Sequence, residues 1–541
     1  MNSTTATALA AIPEVRDSGL HRKIDWRGAF WVASGVPALV LFSIGAIAAT
    51  VGKPAWIVWS VSILFGFVQA FTYAEIAGLF PAKSGGASIY GAVAWVRYGK
   101  MLAPVSVWCN WFAWSPVLAI GSGLTAGYVL TALFPDPQAA INTWQWTLAD
   151  LGWLKTGLTL RINATFVVGA IAMLTVFAVQ HGGILRSARA TMILAVAALL
   201  PLLLIGLVPL LSGQYAADSF SPMVPLGAPA ADGTPQDGAW DLHGWTLIAG
   251  GLFIAAWSTY AFETAVCYTR EFKHPKTDTF KAIFYSGLLC MAAFVLIPLA
   301  FQANLGLTGM LAPDIYSGMG VAAAMSKFLH GGPLIEKMVV VMMILALVLS
   351  IMTAMAGSSR TLYQASVDGW LPRYLSKVNA HGAPTHAMWT DLCFNLALLL
   401  MSDYVVVLAI SNVGYIIFNF LNLNAGWIHR LDRPQWQRPW KAPNWLLAAG
   451  VVLAFVNMFI MGMGADIWGA GTLVSGLVFT ALIVPVFLFR HYVQDGGRFP
   501  AEMREDLHLG DEAGVTTRAG VLPYAVLAGG VAVCWAGHAL T

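Results

Sequence analysis

Tyr73-Ala74-Glu75-Ile76-Ala77-Gly78-Leu79-Phe80-Pro81, followed two residues later by Ser84-Gly85-Gly86-Ala87-Ser88-Ile89-Tyr90, is the stretch on which the reading of this 541-residue chain turns. An apolar run from 55 to 80 leads into it, and the basic residues Lys83, Arg97 and Lys100 accompany its exit. The Gly-Gly pair between them supplies a turn. A run long enough to cross a bilayer, a tight glycine connector and a basic flank together read as the link behind a second membrane helix.

Composition extends that reading to the whole chain. Hydrophobic residues are 58% and charged residues 10% of the sequence, where a soluble domain carries roughly 25% charged. Twenty-two Trp suit anchoring at membrane–water boundaries. The five Cys (Cys109, Cys267, Cys290, Cys393, Cys534) stand singly, without metal or disulfide spacing. A spanning helix needs about 20 apolar residues. Twelve runs qualify: 30–51, 55–80, 103–134, 163–180, 190–211, 245–268, 282–303, 335–357, 387–401, 404–428, 444–464 and 467–489. The ninth is the shortest and contains Asp391. A candidate thirteenth, 519–540, follows the polar linker His491–Arg518, and the N-terminus lacks the pattern of a cleaved signal peptide. The expected fold class is an all-α integral membrane protein.

Charge placement orients these spans. With the N-terminus inside, the inner loops collect 24 of the 29 Lys and Arg, leaving outside Lys53, Lys155, Arg161, Lys327 and Lys337. Such a bias is the positive-inside signature, and a missed or invented span would scramble it. The outer segment Ser212–Gly244 carries Asp218, Asp232, Asp237 and Asp241 but no Lys or Arg, and Trp144, Trp146 and Trp153 are interfacial candidates in the loop 143–160.

The Tyr73–Tyr90 stretch resembles the Tyr-Ala-Glu-Leu-Ala…Phe-Pro…Gly-Gly…Tyr signature of the amino-acid/polyamine/organocation permeases. Three later segments are similar to that family at the corresponding inner loops. They are Glu271-Phe272-Lys273-His274-Pro275-Lys276, then Ser359-Arg360-Thr361-Leu362-Tyr363 with Asp368-Gly369-Trp370-Leu371-Pro372, then Gly382-Ala383-Pro384. The resemblance implies a LeuT-like fold of two five-helix repeats in opposite orientation. The repeats would cover 30–211 and 245–428, with peripheral helices at 444–489 and inner segments at 1–29 and 490–518. It also implies first and sixth helices broken at the bilayer midplane, whose bare peptide groups bind a solute, and a bundle of helices 1, 2, 6 and 7 that rocks against the rest. A secondary transporter of amino acids or related amines follows, working by alternating access in the cytoplasmic membrane. No cofactor, metal, bond chemistry or nucleic-acid partner is expected.

Trp257-Ser258-Thr259-Tyr260-Ala261-Phe262-Glu263-Thr264 resembles the Trp-Ser-Phe-Ile-Gly-Val-Glu-Ser of the arginine/agmatine exchangers. By that match Trp257 stacks on substrate and gates its exit, Tyr260, Ala261 and Phe262 flank it, and Glu263 takes up a proton. A carboxylate at membrane depth costs about 2.5–3.5 kcal/mol on insertion scales and usually faces a cavity; packing against another helix is its plain alternative. The family's Gly-x-Gly in helix 1 falls on Ala38-Leu39-Val40 here, so the expected break moves to Ser34-Gly35-Val36-Pro37. Gly35, Pro37 and Ala38 are therefore the first-helix candidates, with Ser43-Ile44-Gly45 as a second break. The usual helix 6 glycine is Ala261, and the Lys that some relatives carry in helix 5 is replaced by Ala198. Ser350 and Thr353 can offer hydroxyls to sodium or bond their own helix, so sodium symport, proton coupling and exchange stay open. Asn412 is a further substrate candidate. Glu75 and Asp391 read as structural, and Gly121, Gly123 and Gly127 suit close helix approach. A channel would want a charged ring or filter loop and a membrane enzyme clustered His, Asp or Cys at depth; neither pattern is present. A nutrient sensor on this scaffold would share every motif.

Overall fold

The computed structural model describes residues 20, 22–152, 157–213, 215–216, 219–228, 235–316, 318–329, 331–506 and 517–541. Trp153, Lys155, Asp218 and Asp232 of the sequence reading lie outside the described residues. Twelve described helices, of 18 to 36 residues, are long and apolar enough to cross a membrane. Helix is the form such runs must take, because it satisfies every backbone group within its own segment. Eleven of the twelve predicted runs coincide with one of these helices, with small shifts at the ends. The remaining one of these helices is Leu522–Ala539, the candidate thirteenth span.

The predicted ninth run forms Thr385–Leu399, only 15 residues, or roughly 22 Å at 1.5 Å per residue. It nevertheless runs antiparallel beside the fourth span, Ala164–His181, and the two are joined at both ends. At one end Asn379 Nδ2 donates to His181 O (2.9 Å), and at the other Arg161 N donates to Leu400 O (2.8 Å) and Ser402 N to Thr159 O (3.0 Å).

Burial sorts the spans into a centre and a rim. The apolar windows of the first, sixth and tenth spans are 94%, 78% and 83% buried, against 33% and 28% for the fourth and twelfth and 17% for Leu522–Ala539. Large apolar side chains such as Ile171, Ile193, Leu200, Val478 and Val531 stand exposed on the rim, where lipid covers them. The third span bends at Ser115-Pro116 into Leu102–Trp114 and Val117–Leu133, as a proline lacking its N–H dictates. The loop before the fourth span forms an antiparallel ribbon of Gln145–Asp150 and Thr159–Asn163.

Leu522–Ala539 packs along the eleventh span, Asn444–Gly464, through glycines. A Cβ on Gly537 would sit 2.5 Å from Phe459 O, and Gly462 faces Cys534 O, the close approach that small residues allow between membrane helices. Its foot is tied down where Ala519 N donates to Asp432 Oδ1 (2.9 Å). The chain ends beside the start of the sixth span, with His538 and Thr541 lining one recess with Leu242 and His243. Lys23 N and Ile24 N instead bond Glu271 O at the other end of that span.

Candidate functional site

The first span is interrupted where Ser34-Gly35-Val36-Pro37 stands. Helix Trp26–Ala33 gives way to a 3-10 turn, Val36–Leu39, before helix Val40–Val51 resumes. Pro37 has no N–H to return to Ala33 O, so the regular ladder fails here. The chain keeps its hand: Gly35 has φ −75° and ψ −14°, so the break is a tightened turn rather than an extended segment. The alternative break at Ser43-Ile44-Gly45 does not form, since those residues lie inside a continuous helix and Gly45 packs on Ile315 O.

Two hydroxyls of the eighth span, Pro333–Val367, answer the freed peptide groups. Thr353 Oγ1 donates to Val32 O (2.6 Å) and accepts from Gly35 N (3.0 Å). Ser350 Oγ lies 3.0 Å from Gly35 O and 3.0 Å from Ala346 O of its own helix. Gly35 must be glycine for space, because a Cβ would come 2.5 Å from Leu349 O.

The sixth span breaks differently. Its α-helix, Leu242–Thr259, starts on Asp241, whose side chain caps Gly244 N (2.8 Å). After Tyr260 it narrows into an eleven-residue 3-10 segment, Ala261–Glu271. Runs of that form longer than three or four residues are uncommon and mark hinges or strain. At the junction Trp257 Nε1 donates to Ala113 O of the third span (3.0 Å). Glu263 is 1% exposed. Its Oε1 accepts from Asn110 Nδ2 (3.2 Å) and Trp114 Nε1 (3.0 Å). Its Oε2 and the Ser258 hydroxyl have no hydrogen-bond partner among the described residues.

The two breaks face each other across a narrow cleft lined by Leu39, Ala113, Trp114, Val117, Trp257, Ala261 and Tyr415. It has no room for a water-sized molecule, so the cleft is shut. Phe42 tilts toward Trp257 at 6.0 Å between ring centroids. The walls are aliphatic and aromatic side chains, and the Glu263 carboxylate stands a layer back, holding the lining Trp114.

Toward the basic face the sequence motifs converge on one another. Gly85 and Gly86, at φ +93° and +88°, make the left-handed turn that glycine allows. Gly85 N donates to Cys267 O (2.9 Å), Tyr90 Oη to Val266 O (2.8 Å) and Thr361 Oγ1 to Gly85 O (2.8 Å). A Cβ on Gly86 would sit 2.8 Å from Cys267 Sγ and 3.6 Å from Glu263 Oε2, so the opening stretch passes directly beneath the carboxylate. Arg360 grips Glu271 with Nε and Nη2 (2.5 and 2.9 Å), and Lys83 pairs with Asp368 (2.5 Å). Segments up to 285 residues apart in sequence thus form one buried ionic plug.

The other candidates stand elsewhere. Asn412 Nδ2 bonds Phe253 O of the sixth span, and the residue does not line the cleft. Asp391 accepts from Trp111 Nε1 (2.9 Å), Ser115 Oγ (2.5 Å) and Ser358 Oγ (2.5 Å). Glu75 receives Arg430, Arg438 and Ala442 N at the end of the tenth span, where burial among cations lowers the pKa of Arg438. Gly121 and Gly127 abut Ile351 and Met319. Asn110, Ala113, Trp114 and Tyr415 escaped the sequence reading. The signal for the first three was an Asn and paired Trp inside an apolar run that a proline interrupts; Tyr415 had only its adjacency to Gly414.

A family model described as amino acid permease matches residues 24–486. The chain is 22% identical over 490 residues to the branched-chain amino acid permease BcaP of Lactococcus lactis, covering 88% of this chain and 96% of that one. It is 22% identical to the branched-chain amino acid permease BcaP of Bacillus subtilis (80% and 82% covered). The polyamine transporter PUT1 of Oryza sativa is 25% identical (79% and 70% covered).

Proposed function

Because this chain belongs to the amino acid permease family, a family of multi-pass membrane transporters rather than enzymes, we propose that it carries amino acids with aliphatic side chains by alternating access. The observation that carries this is the closed cleft between the two breaks, lined by aliphatic and aromatic side chains, with a half-satisfied carboxylate behind it. In this reading the backbone of Tyr260, Ala261 and Phe262 meets the ammonium and carboxylate of the substrate across from Pro37 and Ala38, while Gly35, whose N–H and C=O are already bonded to Thr353 and Ser350, serves as the hinge. Leu39, Val117 and Tyr415 meet its side chain, and Trp257 covers it. A polyamine, with several ammonium groups in line, would call for more carboxylates than Glu263 alone.

Proton coupling is the reading the geometry favours. The Ser350 and Thr353 hydroxyls bond Val32 O, Gly35 N and Gly35 O of the first span, and sodium would have to displace their protons from those carbonyls. Glu263 has an unmet oxygen and no basic partner among the described residues. The repeats are assigned to 30–211 and 245–428, the eleventh and twelfth spans stand outside them, and the Lys/Arg-rich face is assigned to the cytoplasm of a cell whose inner membrane holds the protein. The Arg360–Glu271 and Lys83–Asp368 pairs then close the inner gate.

Purified protein in liposomes, given labelled leucine, isoleucine, valine, putrescine, spermidine and uracil with and without pH and sodium gradients, tests this. Saturable uptake of the aliphatic amino acids, driven by an inward proton gradient and indifferent to sodium, is expected. Polyamine or uracil uptake, sodium dependence, or binding without uptake as in a sensor would each overturn the corresponding part.

A further inference from the structure

A chain of buried amides runs from the sixth-span break to the second, tenth and eleventh spans. Tyr260 Oη donates to Asn457 Oδ1 (3.0 Å), and Asn457 Nδ2 donates to Asn419 Oδ1 (2.9 Å). Asn419 Nδ2 in turn donates to Tyr73 Oη (2.7 Å) and to Gln69 Oε1. All five residues are buried. Asn457 belongs to the eleventh span and Asn419 to the tenth, whereas Tyr260 lies on the sixth and Gln69 and Tyr73 on the second.

That distribution matters under the proposed cycle, on which this inference rests. The second and sixth spans move as part of one bundle, and the tenth and eleventh stay with the opposing body. Three of the four bonds, from Tyr260 to Asn457 and from Asn419 to Gln69 and to Tyr73, therefore cross the moving boundary. In lipid such groups cannot turn to water when the bodies part, so the bonds must be exchanged for others. Partners are at hand: Gln69 Nε2 and Tyr415 Oη have no hydrogen-bond partner among the described residues. Tyr415 lies one helical turn before Asn419, on the same face, and also lines the cleft.

We propose that Asn419 and Asn457 form an intramembrane latch that holds the second and sixth spans in the closed arrangement, and that its release is a step of the carrier cycle. Asn457 is then a positioning residue acting through Tyr260. It lies outside the site and outside both repeats.

The test is a double-mutant cycle in liposomes with Asn457→Leu, Tyr260→Phe and the double variant, each checked by thermal melting. The first variant is expected to raise the maximal rate of net uptake about threefold, the effect of one average hydrogen bond between membrane helices, with KM moving less than twofold. Tyr260→Phe should act similarly in the native chain and add nothing in the Asn457→Leu background. Asn457→Ala repeats the cycle should the leucine variant fail to fold. Independent, multiplying effects, an unchanged rate, or a change confined to KM would overturn the latch. Absence of uptake by the native protein would instead overturn the transport reading, so the two failures are distinguishable.

Discussion

The interruptions of the first and sixth spans solve the same problem in opposite ways. Each frees polar groups in a region without water, where an unmet group is costly. At the first break, Val32 O, Gly35 N and Gly35 O all receive hydroxyls of the eighth span. At the sixth, eleven residues run as a 3-10 segment, and Glu263 Oε2 and Ser258 Oγ are left without a partner among the described residues. Where the protein supplies the partners, the break is a fixed hinge. Where it withholds them, the proposed reading makes a proton or solute the missing partner.

The contrast can be broken at either end. Glu263→Gln should lower uptake at least tenfold, as loss of a charged hydrogen-bonding group worth roughly 1.5–3 kcal/mol implies, and should flatten its pH profile. Unaltered pH dependence would make the two breaks equivalent. Gly35→Ala forces a methyl to 2.5 Å from Leu349 O. Overpacking costs about 1–3 kcal/mol, so the melting temperature should drop and uptake should fall severalfold. Trp257→Ala should raise the half-saturation concentration about tenfold, with the maximal rate little changed, because a cover over the substrate is lost while the hinge stays intact; unchanged uptake kinetics would remove Trp257 from the site. Thr353→Val strips a hydrogen-bonding group from the first hinge and should slow the maximal rate about threefold without introducing or removing sodium dependence. Ser350→Ala, whose proton is shared with its own helix, should do less. A sodium-specific effect in either would make these hydroxyls ion ligands and not hinge pins.

Much of this was open to inspection before any coordinates. Apolar run length and the sidedness of Lys and Arg are local properties, summed residue by residue as a helix enters the bilayer. Hence the spans, the weakness of the ninth and the break at Ser34–Pro37 could be read along the chain, and so could the four loop motifs. Partner choice could not. A span that is apolar on all sides announces no preferred face, so nothing in 102–133 showed that Asn110 and Trp114 turn toward Glu263. Nor did the sequence show that Asn412 would bond Phe253 O away from the cleft, or that Ser350 and Thr353 would reach across to the first span. Membrane crossing was settled by composition along the chain. Which buried polar group meets which was settled only when helices far apart in sequence came within hydrogen-bond distance, since in lipid those few contacts, and not water, must satisfy every polar atom.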